Sequence, residues 1–155
     1  MSFWSDIYVG NADNIARALE EGDLPEAESF VAHLNLPGIL PSDEEEVPNS
    51  PNLLTMIACD VMREANVSFS DSIAQHLAGD PDQRTATYGV YRMASEWVGL
   101  FARLSEAQIS AIGEEWAKRV DAPGNGSLSK VVKDIVEICR VATQRNAALV
   151  YSWTL

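Results

Sequence analysis

The stretch DPDQRTATYGVYRMASEWVGLFARL, from Asp80 to Leu104, decides how this chain is read. It opens with Asp80-Pro81-Asp82-Gln83: an acidic N-cap, proline at the first helical position, and a Gln three residues after the cap. Side chains in that order satisfy the backbone N–H groups that a helix start leaves unbonded. Placed on a helix at about 100° per residue, Val90, Met93, Ala94, Trp97, Val98, Leu100, Phe101 and Leu104 fall within one arc. Arg92, Ser95, Glu96, Gly99 and Arg103 fall within the opposite one. The spacing predicts one long core helix from about Pro81 to Leu104.

Downstream, Leu104-Ser105-Glu106-Ala107-Gln108-Ile109 joins a reciprocal cap between Ser105 and Gln108 to an apolar pair, Leu104 and Ile109, flanking it. A helix from Glu106 to about Val120 follows, with Ile109, Ile112, Trp116 and Val120 inward, then a loop over Asp121–Gly126. The last helix runs from about Leu128 to Asn146 on a stripe of Leu128, Val132, Ile135, Val136, Cys139 and Ala142. The tail Leu149–Trp153 has β character, as does Asp6–Val9 near the other end. These two can pair as a ribbon, which is marginal alone.

Upstream, Ser50-Pro51 starts a helix that places Leu54, Ile57, Ala58, Val61 and Ala65 on one face. A short helix is expected from Asp71 to Ala78, stopped by Gly79. In the first third, Asn11 or Asp13 caps a helix ending at Gly22, and Asp23-Leu24-Pro25-Glu26 starts another to about Leu34. Pro37, Pro41, Pro48 and Pro51 flank Asp43-Glu44-Glu45-Glu46, an extended acidic loop at about 35–51. Nothing recurs at a fixed period, which argues against a solenoid. The expectation is one all-α domain over 1–155: a bundle of about six helices, with at most a short β ribbon formed by the termini.

Charge narrows the function classes. Of the net −12, residues 1–83 carry 16 Asp/Glu against Arg17 and Arg63, a balance of −14; residues 84–155 carry 7 acids and 9 bases, a balance of +2. The acidic half repels nucleic acid and anionic membranes, whose recognition needs clustered Lys/Arg, and attracts a basic protein or a cation. The longest apolar run, Ala147–Tyr151, is far short of the roughly 20 residues that span a bilayer. The start of the chain carries no signal-type segment, so a cytoplasmic location is expected.

No motif of nucleophile elbow, P-loop, dinucleotide-binding or zincin type is present. Cys59, Cys139, His33 and His76 are too few for a zinc cluster. Cys139 sits in an apolar stripe as a small hydrophobe, whereas Cys59 lies off its stripe and is the more accessible. His33 and His76 read as partly buried, helix-end side chains. Gly124-Asn125-Gly126 reads as a connector. Trp97 and Trp116 occupy core positions. Asp60 and Glu64, four apart, share a helix face and are the only metal candidates, for Mg²⁺ or Ca²⁺ under the acidic loop.

No catalytic residue and no cofactor are assigned, and the balance leans away from an enzyme. The leading expectation is an acidic interaction or regulatory protein, inhibitor- or immunity-like, that meets a basic partner through Asp43, Glu44, Glu45 and Glu46. The alternative is a carboxylate-based divalent-metal protein or enzyme.

Overall fold

The computed structural model describes residues 4–37, 52–63, 74–79, 87–119 and 127–154. The order of elements is β1 (Trp4–Gly10), α1 (Ala12–Glu20), a 3-10 turn (Ala27–Ser29), β2 (Phe30–Pro37), α2 (Asn52–Met62), β3 (Ala74–Gly79) and β4 (Tyr88–Met93). Then come α3 (Ser95–Ala102), α4 (Glu106–Arg119), α5 (Ser127–Arg145) and β5 (Ala148–Thr154). The strands form one antiparallel sheet in the order β2-β1-β5-β4-β3. The chain is therefore a mixed α/β fold, and the expected all-α bundle of six helices is wrong.

The decisive stretch is where that expectation fails. Residues 88–93 are strand β4, and the helix begins only at Ser95. Ala94 is extended, with ψ 148°, and offers no side-chain cap, so no capping residue marks the change. Val90 and Met93 are both buried, but they point to opposite sides of the sheet. A spacing of three puts two residues on one helix face or on opposite strand faces, and a strand buried on both sides shows no alternation. The Tyr-Gly-Val-Tyr composition was the β signal.

Two further helix readings fall with it. Residues 74–79 are strand β3, and the segment read as a helix to Leu34 becomes a 3-10 turn followed by β2. The ribbon of the termini is present, with Ile7 opposite Tyr151 and Val9 opposite Leu149, at the centre of the sheet. Both strands pair on their other sides as well, β1 with β2 and β5 with β4.

The helices α2, α3, α4 and α5 share the main core with one face of the sheet. Ile7 and Val9 of β1 and Leu149, Tyr151 and Trp153 of β5 belong to it, with Ile57 of α2, Phe101 of α3, Trp116 of α4 and Ile135 of α5. The Trp97 indole N–H donates to Thr55 Oγ1 at 2.7 Å, tying α3 to α2. Arg140 of α5 donates to the carbonyls of Ala102 and Leu104 at 3.0 and 2.8 Å, supplying partners that the end of α3 lacks. At Gly113 a Cβ would come within 2.5 Å of Ser129 Cα, so glycine sets how closely α4 approaches α5. The Ser105–Gln108 capping box forms as expected: the Ser105 amide donates to Gln108 Oε1 at 2.9 Å and the Gln108 amide to Ser105 Oγ at 3.2 Å. Cys59, expected to be the accessible thiol, is buried, as is Cys139.

The opposite face of the sheet is covered by α1. Ile15 and Ala16 pack on Tyr8, Val90, Val150 and Ala78. Among the described residues no helix is long and apolar enough to cross a membrane.

Candidate functional site

α1 is short for the sheet it covers. Nine residues make a helix of about 13 Å, while five strands span roughly 19 Å from first to last. It starts at Asn11, whose Oδ1 accepts from the Asn14 amide at 3.1 Å, and packs chiefly on β3 and β5. It then stops abruptly: the amides of Gly22 and Asp23 donate to the carbonyls of Leu19 and Ala18 at 3.1 and 2.9 Å. Gly22 takes φ +79°, the left-handed turn that closes this motif. Among the described residues, no helix covers this face of the sheet beyond the helix end, across β2 and β1.

A groove of about 570 Å³ lies there. Its floor is formed by Asp6 and Tyr8 of β1, His33 and Asn35 of β2, and Ser152 of β5; Leu19, Glu20, Asp23 and Leu24 form one wall, and Tyr88 and Val90 the other. The register explains the polar floor, since Asp6 is opposite Asn35 and Tyr8 opposite His33 on the face turned away from the main core. Asp6 Oδ1 accepts from His33 Nε2 at 2.8 Å and from Asn35 Nδ2 at 2.9 Å. The His33 ring stacks on Tyr8, centroids 4.4 Å apart and planes within 6°, and Phe30 meets both rings edge-on. Burial, with a smaller contribution from the Asp6 charge, pushes the Tyr8 phenol up to about 12, so it stays neutral beside the carboxylate.

Carboxylate and imidazole at 2.8 Å could orient each other for proton transfer. No hydroxyl or thiol is bonded to His33 among the described residues, so a nucleophilic triad is not assembled. What the groove offers is a fixed carboxylate on a polar floor, with further carboxylates at its rim. Outside it, the exposed residues of α1 and the turn after it include Asp13, Glu21, Glu26 and Glu28 against the single base Arg17. Leu24 on the wall is 84% exposed, the most exposed large hydrophobic side chain described. A second cavity of about 610 Å³, between the start of α3 and the end of α5, mixes Arg92 and Glu96 without a converging set of groups.

The sequence candidates fare differently. Asp43, Glu44, Glu45, Glu46 and Glu64 lie outside the described residues, and Asp60 is exposed near the end of α2. No group of three His, Cys, Asp or Glu side chains able to hold a metal occurs among the described residues. His76 stands exposed on β3 against Tyr91. His33 was read as a partly buried, helix-end residue. It is on a strand, and its partner Asp6 is 27 positions away. Alternation in Phe30-Val31-Ala32-His33-Leu34-Asn35-Leu36, with even positions apolar, was the signal that could have placed it.

No family model matches this chain, and neither a curated protein nor a solved structure matches it.

Proposed function

We propose that this chain is a cytoplasmic interaction protein, inhibitory or regulatory in kind, that binds a basic protein through its acidic half. The observation that carries the reading is where the acid sits. Residues 11–29 carry six exposed carboxylates with Arg17 alone opposing them, and two of the six, Glu20 and Asp23, line a groove that has no Lys or Arg among its described lining residues. Such a surface steers a basic partner and excludes polyanions. Asp43–Glu46 adds four charges of the same sign to the same half of the chain. Two buried thiols with no disulfide between them suit a reducing compartment.

The test is retention of proteins from a source lysate at low and at high salt, on wild type and on the triple variant Glu20→Lys, Asp23→Lys, Glu26→Lys. A basic protein held by wild type at low salt, released at high salt and lost from the variant is the expected result. A partner held equally by both, or held regardless of salt, would overturn the reading. The three positions are exposed, so the variant should fold, which circular dichroism would check.

A further inference from the structure

The groove has a chemistry more particular than the acidic surface around it. Its floor carboxylate is set in place: Oδ1 of Asp6 is bonded by two side chains of the neighbouring strand, and the Asp6 side chain is still 21% exposed. Among the described residues nothing is bonded to Oδ2. Glu20 and Asp23 stand on the wall above, and the half-buried Tyr88 and Leu19 supply apolar surface between floor and rim. At the lip, Leu24 is an apolar side chain with little to cover it.

We propose that this groove is a socket for an arginine side chain presented by the basic partner; the proposal rests on the interaction reading above and names the group that reading recognises. A guanidinium fits the combination better than an ammonium. It is planar and weakly hydrated, bonds a carboxylate through a fork of N–H groups, and stacks on an aromatic face such as Tyr88. A lysine ammonium is compact and strongly hydrated, and gains less from apolar walls. The aliphatic stem of the arginine lies along Leu19, and backbone flanking it covers Leu24. The volume, about 570 Å³, is within the range of sites that enclose small ligands.

The probe is acetyl-Gly-Arg-Gly-amide titrated into the whole chain labelled for NMR, with the citrulline and lysine peptides as comparisons. Citrulline keeps the shape of arginine and removes its charge. The expected result is saturable shifts centred on the Leu19, Leu24 and Val90 methyls. Binding should be at least about tenfold weaker for citrulline, and for wild-type peptide on Asp6→Asn, with lysine between. Leu24→Ser, a change at an exposed position, should weaken binding without altering the fold. Equal shifts from citrulline, or arginine shifts spread over Glu26 and Glu28 and unchanged in Asp6→Asn, would overturn the socket. The two proposals fail separately. A basic partner that binds wild type and Asp6→Asn alike leaves the interaction reading standing and removes the socket. A groove that takes the arginine peptide in a chain that retains no basic partner does the reverse.

Discussion

On one side of the sheet Ile7, Val9, Leu149, Tyr151 and Trp153 meet four helices, whereas on the other Tyr8, Val90 and Val150 meet Ile15 and Ala16 of a single nine-residue helix. The same two strands, β1 and β5, face both environments through alternate residues. The first side is a closed core of interlocked side chains, crossed by the Trp97–Thr55 bond and by the close approach at Gly113. Among the described residues the second is only partly roofed, and Asp6, His33 and Asn35 of β1 and β2 reach solvent where the roof ends. A fold that seals one face with four helices has its stability there. Among the described residues the other face carries charge and a groove, and it is where recognition is to be sought.

The largest effect that would break this comparison comes from truncation in the closed core. Trp116→Ala, at a side chain with no exposed surface, should cost about 3–5 kcal/mol, while Leu24→Ser at the groove lip should stay within about 0.5 kcal/mol. Urea midpoints measure both. Comparable losses would mean that the open side carries structure as the closed side does. Next in size is overfilling. A Cβ at Gly89 would come within 2.6 Å of Trp153 Nε1 and 2.9 Å of a Tyr91 ring carbon, so Gly89→Ala should cost about 1–3 kcal/mol. A neutral result would show that the Trp153 ring yields, and that the closed side is looser than its contacts imply. Ser105→Ala, which removes one half of a reciprocal cap on the closed side, should cost about 0.5–2 kcal/mol, read from the same midpoints.

The cap at Ser105 was legible from sequence because its chemistry is local: two side chains and two amides within four residues. The stripes of α4 and α5 were legible for the same reason, one helix face against one core. The sheet was not. β4 is buried on both faces, so its period of two is erased, and it runs into α3 through Ala94 without a capping side chain to separate them. β2 does alternate, but Phe30 and Leu34 also fit a helical spacing of four, and the preceding Pro25-Glu26 favours a helix start. The β character of β1 and β5 was seen, though the three other strands that make them central were not. The acidic character of the first half was plain, and Asp43–Glu46, where its focus was placed, lies outside the described residues. The groove depends on a register, Asp6 opposite Asn35, that brings together residues 29 positions apart. No short-range pattern encodes such a pairing.

The smallest effect compares one tyrosine from each side. Tyr8, on the α1 side, is pushed up to about 12, first by burial and then by the Asp6 carboxylate. Tyr151, on the closed side, is pushed well above the ordinary phenol range by burial, partly offset by the Ser5 hydroxyl and reinforced slightly by Tyr91. An acid whose folded pKa is raised leaves stability whole while both states hold the proton. Stability falls once the unfolded chain releases the proton and the folded one keeps it. For Tyr8 the fall begins near pH 10 and levels off near 12; for Tyr151 it begins at the same point and does not level off in that interval. Urea midpoints between about pH 9 and 11 should therefore decline, and Tyr8→Phe should make the decline shallower without abolishing it. A second arm separates the causes. In Asp6→Asn the tyrosinate absorbance of Tyr8 should appear at a slightly lower pH, because the negative charge opposing its ionisation is gone while its burial remains. Tyr151, which faces away from Asp6, should not move. If both phenols shifted together, the carboxylate on the open side would be felt through the sheet, and the two faces would not be electrostatically separate.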